Sequence, residues 1–227
     1  MVIWIREENG NAGECRRMGG MLEEVVLPAE GLFWRYRRRR LWKKLRCRRF
    51  CTFAVPRELE AEALAWGIRP VKAAALRRAL LPRLYEKGCI VSADAAALRA
   101  PDATAEVYQA AAFLAERSRY LSLELEHDGE QVSAWLRQQY GISAGRFAGK
   151  VCGGVTFCGA PRCGEIHLGE DCGRYQQVRY AVDGGELPEE LAAALWSAGL
   201  IPAEEIRVLS VRTVLDTTGE SRYNTMI

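Results

Sequence analysis

A run of cations is the feature of this sequence best suited to binding a ligand. Ten of the fifteen residues from 35 to 49 are Lys or Arg. Like charges at this density repel one another along a helix, so a bound anion would relieve a free-energy cost. Nucleic acid, another polyanion, a phosphorylated ligand, an acidic partner or an anionic membrane surface would supply the opposite charge. The predicted anion-binding residues are Arg35, Arg37, Arg38, Arg39, Arg40, Lys43 and Lys44.

The alternative interpretation of this run is a solvated helix face. Trp34, Leu41 and Leu45 recur at helical spacing, so the segment predicts a basic amphipathic helix whose apolar side packs on a sheet. Residues 1–50 contain 13 Lys or Arg and 6 Asp or Glu, whereas the remaining residues contain 19 and 23. In this interpretation the acidic remainder of the protein partly balances the cations.

Polar side chains that follow two predicted strands form a second candidate site. Ser92 and Asp94 end the predicted strand 89–93, and His127 and Asp128 follow the predicted strand 120–125. Ligands of open α/β sheets bind outside the carboxyl ends of the strands. A histidine beside carboxylates could act as a general base, so these residues predict the small-molecule pocket of an enzyme. Alternatively, Asp128 caps a helix together with Gln131, and His127 is an ordinary loop residue.

A cysteine-rich segment near the C-terminus could bind a metal. Cys152, Cys158, Cys163 and Cys172, with His167 between the last two, are ligand types that zinc and iron–sulfur clusters use. Five, four and eight residues separate the cysteines, and no CxxC pair is present in the segment. We therefore predict free thiols and no metal site.

Several chemical signatures are absent from the sequence. It contains neither GxGxxG nor GxxxxGK[ST], and thus has no sequence signature for NAD, FAD or ATP. It also lacks GxSxG and HExxH. Catalysis that depends on histidine would have to use His127 or His167, because the chain has two histidines.

Alternating strands and helices predict how these residues are positioned. The pattern favours a single three-layer α/β domain with a mostly parallel sheet and helices on both faces, a Rossmann-like architecture shared by many unrelated functions. Short strands between residues 154 and 182 are expected to add antiparallel pairs at one edge. Any division into two lobes is expected near residues 142–150. Helices are predicted at 32–49, 58–66, 72–87 with a kink at Pro82, from a cap at Asp102 through Leu114, and at 128–140 and 188–198.

Composition and the N-terminus indicate the cellular setting. Of the 227 residues, 49% are hydrophobic and 27% are charged, which is typical of a globular protein. The first residues, Met1 to Ile5, meet a charge at Arg6, unlike a secretory signal, and no apolar run approaches the roughly 20 residues of a membrane span. We expect a cytoplasmic protein with reduced thiols. The oligomeric state stays open.

Overall fold

The computed structural model describes residues 1–9, 15–17, 20–88, 95–145 and 153–213. Two parallel sheets flanked by helices and one small antiparallel sheet confirm the predicted α/β class. The strands are β1 (Val2–Glu8), β2 (Cys15–Arg17), β3 (Leu22–Pro28), β4 (Thr52–Ala54), β5 (Ala95–Ala100), β6 (Tyr120–Leu125), β7 (Ala144–Gly145), β8 (Gly154–Thr156), β9 (Glu165–His167), β10 (Gln176–Val182), β11 (Gly185–Leu187) and β12 (Arg207–Thr213). The α-helices are α1 (Trp34–Arg46), α2 (Arg57–Ala65), α3 (Ala74–Ala79), α4 (Leu81–Gly88), α5 (Ala105–Ala115), α6 (Gly129–Tyr140), α7 (Cys172–Tyr175) and α8 (Glu189–Ser197).

The N-terminal sheet has the strand order β2-β3-β1-β4. Its central strand β1 runs parallel to β3 and β4, and β2 pairs antiparallel with β3 at the edge. Helix α1 connects β3 to β4 and therefore passes over β1. On one face Ile5 packs with Trp42 of α1 and Leu59 of α2. On the other face Val2 packs with Leu191 of α8, so helices cover both faces as predicted.

The central sheet has five parallel strands in the order β7-β6-β5-β8-β9. Helix α5 links β5 to β6, and α6 links β6 to β7. From β5 the chain first adds β6 and β7 at one side of the sheet. It then adds β8 and β9 at the other side of β5. At this junction Gly154 has φ 149°, and a Cβ there would lie 2.1 Å from the Ala97 carbonyl oxygen. Glycine therefore allows β8 to approach β5.

The two faces of β6 differ from the sequence expectation. Leu121 and Leu123 are buried in the main core, as their alternation predicts. Because Tyr120, Ser122 and Glu124 alternate with leucines, the sequence predicts that they lie on a solvent-exposed face. Ser122 is nevertheless only 2% exposed, whereas Tyr120 is 53% exposed. That expectation was wrong at Ser122, because the alternation of polar and apolar residues reports side-chain type and not what covers the face.

Helix boundaries follow the local signals closely. Pro82 lies in the first turn of α4, where a missing N–H does no harm, and Leu80 separates α3 from α4. The expected interruption at Pro82 is thus confirmed. Leu114 is fully buried on α5, also as expected. The cap of α5 is not Asp102, because the helix begins after Thr104.

The C-terminal sheet is antiparallel, with the order β11-β10-β12. Antiparallel strands were expected at an edge of one sheet, but they form a separate sheet. The short strands β8 and β9 pair in parallel within the central sheet. The predicted lobe boundary at 142–150 includes β7 and precedes β8, and both strands belong to the central sheet.

Candidate functional site

Helix α1 is oriented by its apolar residues. Trp42 is fully buried and Leu45 is 3% exposed, and both pack against the N-terminal sheet. These two positions are three residues apart, which places them on one side of an α-helix. The remaining sides of α1 are consequently turned toward α2 or away from the protein.

The outward side of α1 is densely cationic. Six of the predicted cations are exposed on it, and we call them the basic face: Arg35, Arg37, Arg39, Arg40, Lys43 and Lys44; Arg46 is exposed on the same side. At 100° per residue they span an arc of about 200°. No Asp or Glu occurs between Glu30 and Glu58, so no acid interrupts this arc along the chain. The structure brings six of the seven predicted anion-binding residues onto one surface.

Arg38 is the seventh, and it lies elsewhere. Its Nε is 2.9 Å from Oε1 of Glu62 and its Nη1 is 3.0 Å from Oε1 of Glu7. The hydrogen bonds that Arg38 donates to Glu62 raise the pKa of Arg38 despite its partial burial. Trp42 donates from Nε1 to the same Glu62 carboxylate at 2.6 Å. Arg38 therefore joins α1 to α2 and is not part of the basic face.

The helix dipole acts differently on the cations at the two ends of α1. Lys43, Lys44 and Arg46 lie in the last turn, where the helix dipole favours cations. The first turn carries Arg35 and Arg37 and has no acidic residue. Cations at a helix N-terminus oppose the dipole, so an external anion would be most stabilising at this end.

Aromatic side chains accompany the basic face. Exposed fractions are 70% for Phe33, 67% for Tyr36 and 99% for Phe50. A groove of about 440 Å³ opens on the side of α1 that faces α2. Trp34, Arg35, Arg39 and Trp66 line it together with the carboxylates of Glu7 and Glu62.

The central sheet presents a row of polar side chains across four strands. Glu124 of β6 is in register with Arg99 of β5, Arg99 with Thr156 of β8, and Thr156 with His167 of β9. Residues in register on neighbouring strands project from the same face. The row lies toward the carboxyl ends of the strands, where the strand order reverses between β5 and β8. Ligands of doubly wound sheets bind at such a point.

A crevice of about 510 Å³ opens at these strand ends. We call it the strand-end crevice, and its polar lining consists of Arg99, Ser122, Glu124, Glu126 and Cys158. The charges in and beside it are paired. Nη2 of Arg99 is 2.6 Å from Glu165, and the two Nη atoms of Arg162 lie 2.6 and 2.8 Å from Glu124. Glu126 is exposed.

Of the predicted pocket residues, the two that the structure describes do not line this crevice. His127 and Asp128 are exposed, and Oδ1 of Asp128 accepts a hydrogen bond of 2.9 Å from Nε2 of Gln131. Asp128 directly precedes α6 but makes no side-chain cap hydrogen bond. Asp128 lines a neighbouring surface depression with Glu126. Ser92 and Asp94 lie outside the described residues.

Arg99, Ser122, Glu124 and Cys158 are the crevice residues that sequence reasoning missed. The strand predicted at 89–93 lies outside the described residues, and β5, which precedes α5, ends at Ala100. Counting the strand end from Ala100 would have placed Arg99 at the carboxyl edge. The alternation of polar and apolar residues along β6 places Glu124 on the polar face of the strand, and this pattern could have identified it.

The predicted cysteine segment is only partly described, because Cys152 lies outside the described residues. Cys158 is half-buried, Cys163 is exposed and Cys172 is buried. Burial raises the pKa of the Cys172 thiol to about 11. Across the described ranges, no three His, Cys, Asp or Glu side chains are grouped so that they could hold a metal ion.

His167 is fully buried at the edge of the central sheet. Its Nδ1 accepts a hydrogen bond of 3.1 Å from the Gly169 amide, and its ring stacks on Tyr175. Nε2 is 3.4 Å from Oδ1 of Asp171, without the geometry of a hydrogen bond. Burial lowers the pKa of His167, although Asp171 acts in the opposite direction. The imidazole is therefore held neutral.

Comparison of the chain with protein-family models, curated proteins and solved structures gave no match. Within the described part of the chain, none of the helices is both long and apolar enough to cross a membrane.

Proposed function

We propose that this protein binds a polyanion, with nucleic acid as the favoured ligand, through the basic face of α1. The observation that carries the proposal is the arc of six exposed cations, uninterrupted by acidic residues in the chain. Phosphates along a nucleic acid strand repeat at a spacing that several such cations can contact at once. Each contact releases condensed counterions, which drives binding.

The position of the cations on α1 supports this proposal over a solvated helix face. Arg38 meets Glu62 and Glu7, and Arg48 meets Glu23 at 3.1 Å. These two cations lie on or beside the side of α1 that packs against the protein, and each forms an ion pair with a carboxylate from another helix or strand. The cations of the basic face are exposed on the outward side of α1, and the first turn, where the helix dipole is unfavourable for cations, contains no acidic residue.

Binding to a labelled oligonucleotide, measured as a function of salt concentration, tests this function. Replacing Arg39, Arg40 and Lys43 with Gln removes three exposed cations. If all three contact phosphates, the slope of log affinity against log salt should flatten by about 2 to 3, and affinity at about 0.15 M salt should fall by about tenfold or more. A matched control replaces the exposed Lys87, Arg119 and Arg137 with Gln and should change affinity by less than about threefold.

Two outcomes would contradict the proposal. One is the absence of binding to single-stranded or duplex nucleic acid, or to heparin, at about 0.15 M salt, where exposed charges are screened beyond about 8 Å. The other is an equal loss of affinity in both triple variants, which would indicate attraction by net charge alone.

A second candidate function, an enzyme acting on a small polar molecule, rests on the strand-end crevice. The crevice lies where the strand order of a parallel sheet reverses, and it combines carboxylates, a guanidinium and the half-buried Cys158 thiol. A ligand-observed NMR screen of polar metabolites would test it. Binding should be lost in Glu126→Gln, retained in the exposed control Glu116→Gln, and weakly dependent on salt, unlike binding to the basic face.

A further inference from the structure

The groove between α1 and α2 offers aromatic surface to a ligand. Trp34 of α1 and Trp66, directly after α2, are both half-buried, so part of each indole is exposed. The volume of about 440 Å³ is within the range of roughly 300 to 1,000 Å³ that is common for sites of small organic groups. A flat ring can therefore enter and stack on an indole.

The groove is continuous with the basic face. Arg35 and Arg39 line the groove and are also exposed cations of the face. The Arg35 guanidinium lies 5.4 Å from the centre of the Trp34 ring. An anion held by Arg35 and Arg39 would lie beside the half-buried Trp34 indole, so a phosphate and its attached base could contact the cations and the indole together.

The inside of the groove contains two carboxylates together with the Arg38 guanidinium that pairs with them. Glu62 accepts hydrogen bonds from Arg38 and Trp42, and Glu7 is 38% exposed. Carboxylate oxygens can accept further hydrogen bonds from the amino groups of nucleobases, which phosphates do not carry. The groove therefore suits an uncharged base that donates hydrogen bonds, whereas the basic face suits a negatively charged phosphate.

From this arrangement we infer that the ligand of the basic face is a single-stranded nucleic acid, one unpaired base of which stacks in the groove on Trp34. The inference rests on the proposed function and adds the strandedness of the ligand. In a duplex the base faces are covered by their neighbours and cannot contact an indole, whereas unpaired bases stack readily on aromatic side chains.

An anionic membrane is the other surface that cations and exposed aromatic residues could contact. Phe33, Tyr36 and Phe50 would face such a membrane, but the groove would contribute nothing to that contact, and Glu7 and Glu62 would oppose the headgroups. A single strand uses the cations, the indole and the carboxylates together. The observations therefore favour the nucleic acid.

The test compares a labelled single strand of about 12 nucleotides of mixed sequence with the matching duplex at about 0.15 M salt. The single strand should bind about tenfold or more tightly than the duplex and quench tryptophan emission. Trp34→Leu should weaken single-strand binding by about tenfold and duplex binding by less than about twofold. Trp196→Leu, a half-buried tryptophan on α8, is the matched control and should leave both affinities unchanged.

Trp34→Phe covers the case in which Trp34→Leu fails to fold, because it keeps an aromatic ring. It should retain most of the affinity for the single strand while losing part of the emission quenching. Equal affinity for both forms, with no effect of Trp34→Leu and no quenching, would overturn the inference and leave the proposed function standing. Binding to neither form, or binding only to phosphatidylserine-containing vesicles, would overturn both.

Discussion

Arg77 and Glu189 form a buried ion pair in which Nε and Nη2 of the guanidinium each lie 2.6 Å from a carboxylate oxygen. Arg77 is fully buried, and it also donates from Nη1 to the His167 carbonyl and from Nη2 to the Gln176 carbonyl. Burial disfavours the charged guanidinium, but the charge of Glu189 and the hydrogen bonds to it together raise the pKa of Arg77. The pair joins α3, α8, β9 and β10.

Removing one member of this pair should be strongly destabilising. Arg77→Met leaves the Glu189 carboxylate buried without its partner, so the free energy of unfolding should fall by about 3 to 5 kcal/mol. The double variant Arg77→Met, Glu189→Leu should recover part of the loss, because no unpaired charge remains. Urea unfolding followed by tryptophan fluorescence measures both.

The exposed pair of Arg117 and Glu116 provides the control. Their separation is 3.2 Å, and the side chains are 42% and 59% exposed. Arg117→Met should cost less than about 1 kcal/mol. Similar losses for Arg77→Met and Arg117→Met would show that the buried pair does not have the structural role assigned to it.

His167 should make stability depend on pH. Because burial lowers its pKa below the ordinary value of 6.5, the unfolded chain takes up a proton at a higher pH than the folded protein does. Stability should therefore decrease as pH falls below about 6.5, by up to about 1.4 kcal/mol per pH unit, until the folded-state pKa is reached.

Urea unfolding between pH 7.5 and 5 (roughly one unit either side of the ordinary histidine value) measures this dependence. His167→Asn keeps a side-chain acceptor for the Gly169 amide but cannot titrate, so its pH dependence should be weaker than that of the unmodified protein. His127→Asn, at an exposed site, should retain the full dependence. Identical curves for the unmodified protein and His167→Asn would refute the assignment.

Gly154 should not tolerate a side chain. In Gly154→Ala the added methyl group would meet the Ala97 carbonyl oxygen at 2.1 Å in a backbone conformation that favours glycine. Because the clash is with backbone, β8 must separate from β5, and we expect a loss of about 3 kcal/mol or more. Gly145→Ala on β7 has nothing within 4 Å of the new Cβ and should change stability by less than about 1 kcal/mol. Thermal unfolding distinguishes the two.

Thiol reactivity should separate Cys172 from Cys163. With a pKa of about 11, the Cys172 thiol has on the order of one thiolate per thousand molecules at pH 8, and it is also buried. Iodoacetamide should label the exposed Cys163 about a hundred times faster or more, as measured by peptide mass spectrometry. In urea the two rates should become similar. Comparable rates in the folded protein would contradict the burial of Cys172.

The features that were predicted from the sequence are those with local causes. Pro82 interrupts a helix through its own ring, and Leu114 is buried because it belongs to an apolar stripe at helical spacing. The basic face also has a local cause. The apolar residues of α1 pack on the sheet, so the cations between them lie on the remaining sides of the helix. None of these three inferences requires knowledge of a residue that is distant in the chain.

The tertiary structure determines which charged residues pair with a residue from a distant part of the chain. Nothing near Arg77 in the chain distinguishes it from an exposed arginine, because its partner Glu189 is 112 residues away. Arg38 was placed among the anion-binding residues for the same reason, since only the packing of α2 brings Glu62 to it. The sequence determined the α/β class, the helix periods and the density of charge, whereas the pairing of strands into three sheets and of charges across them depended on contacts between segments that are remote in the chain.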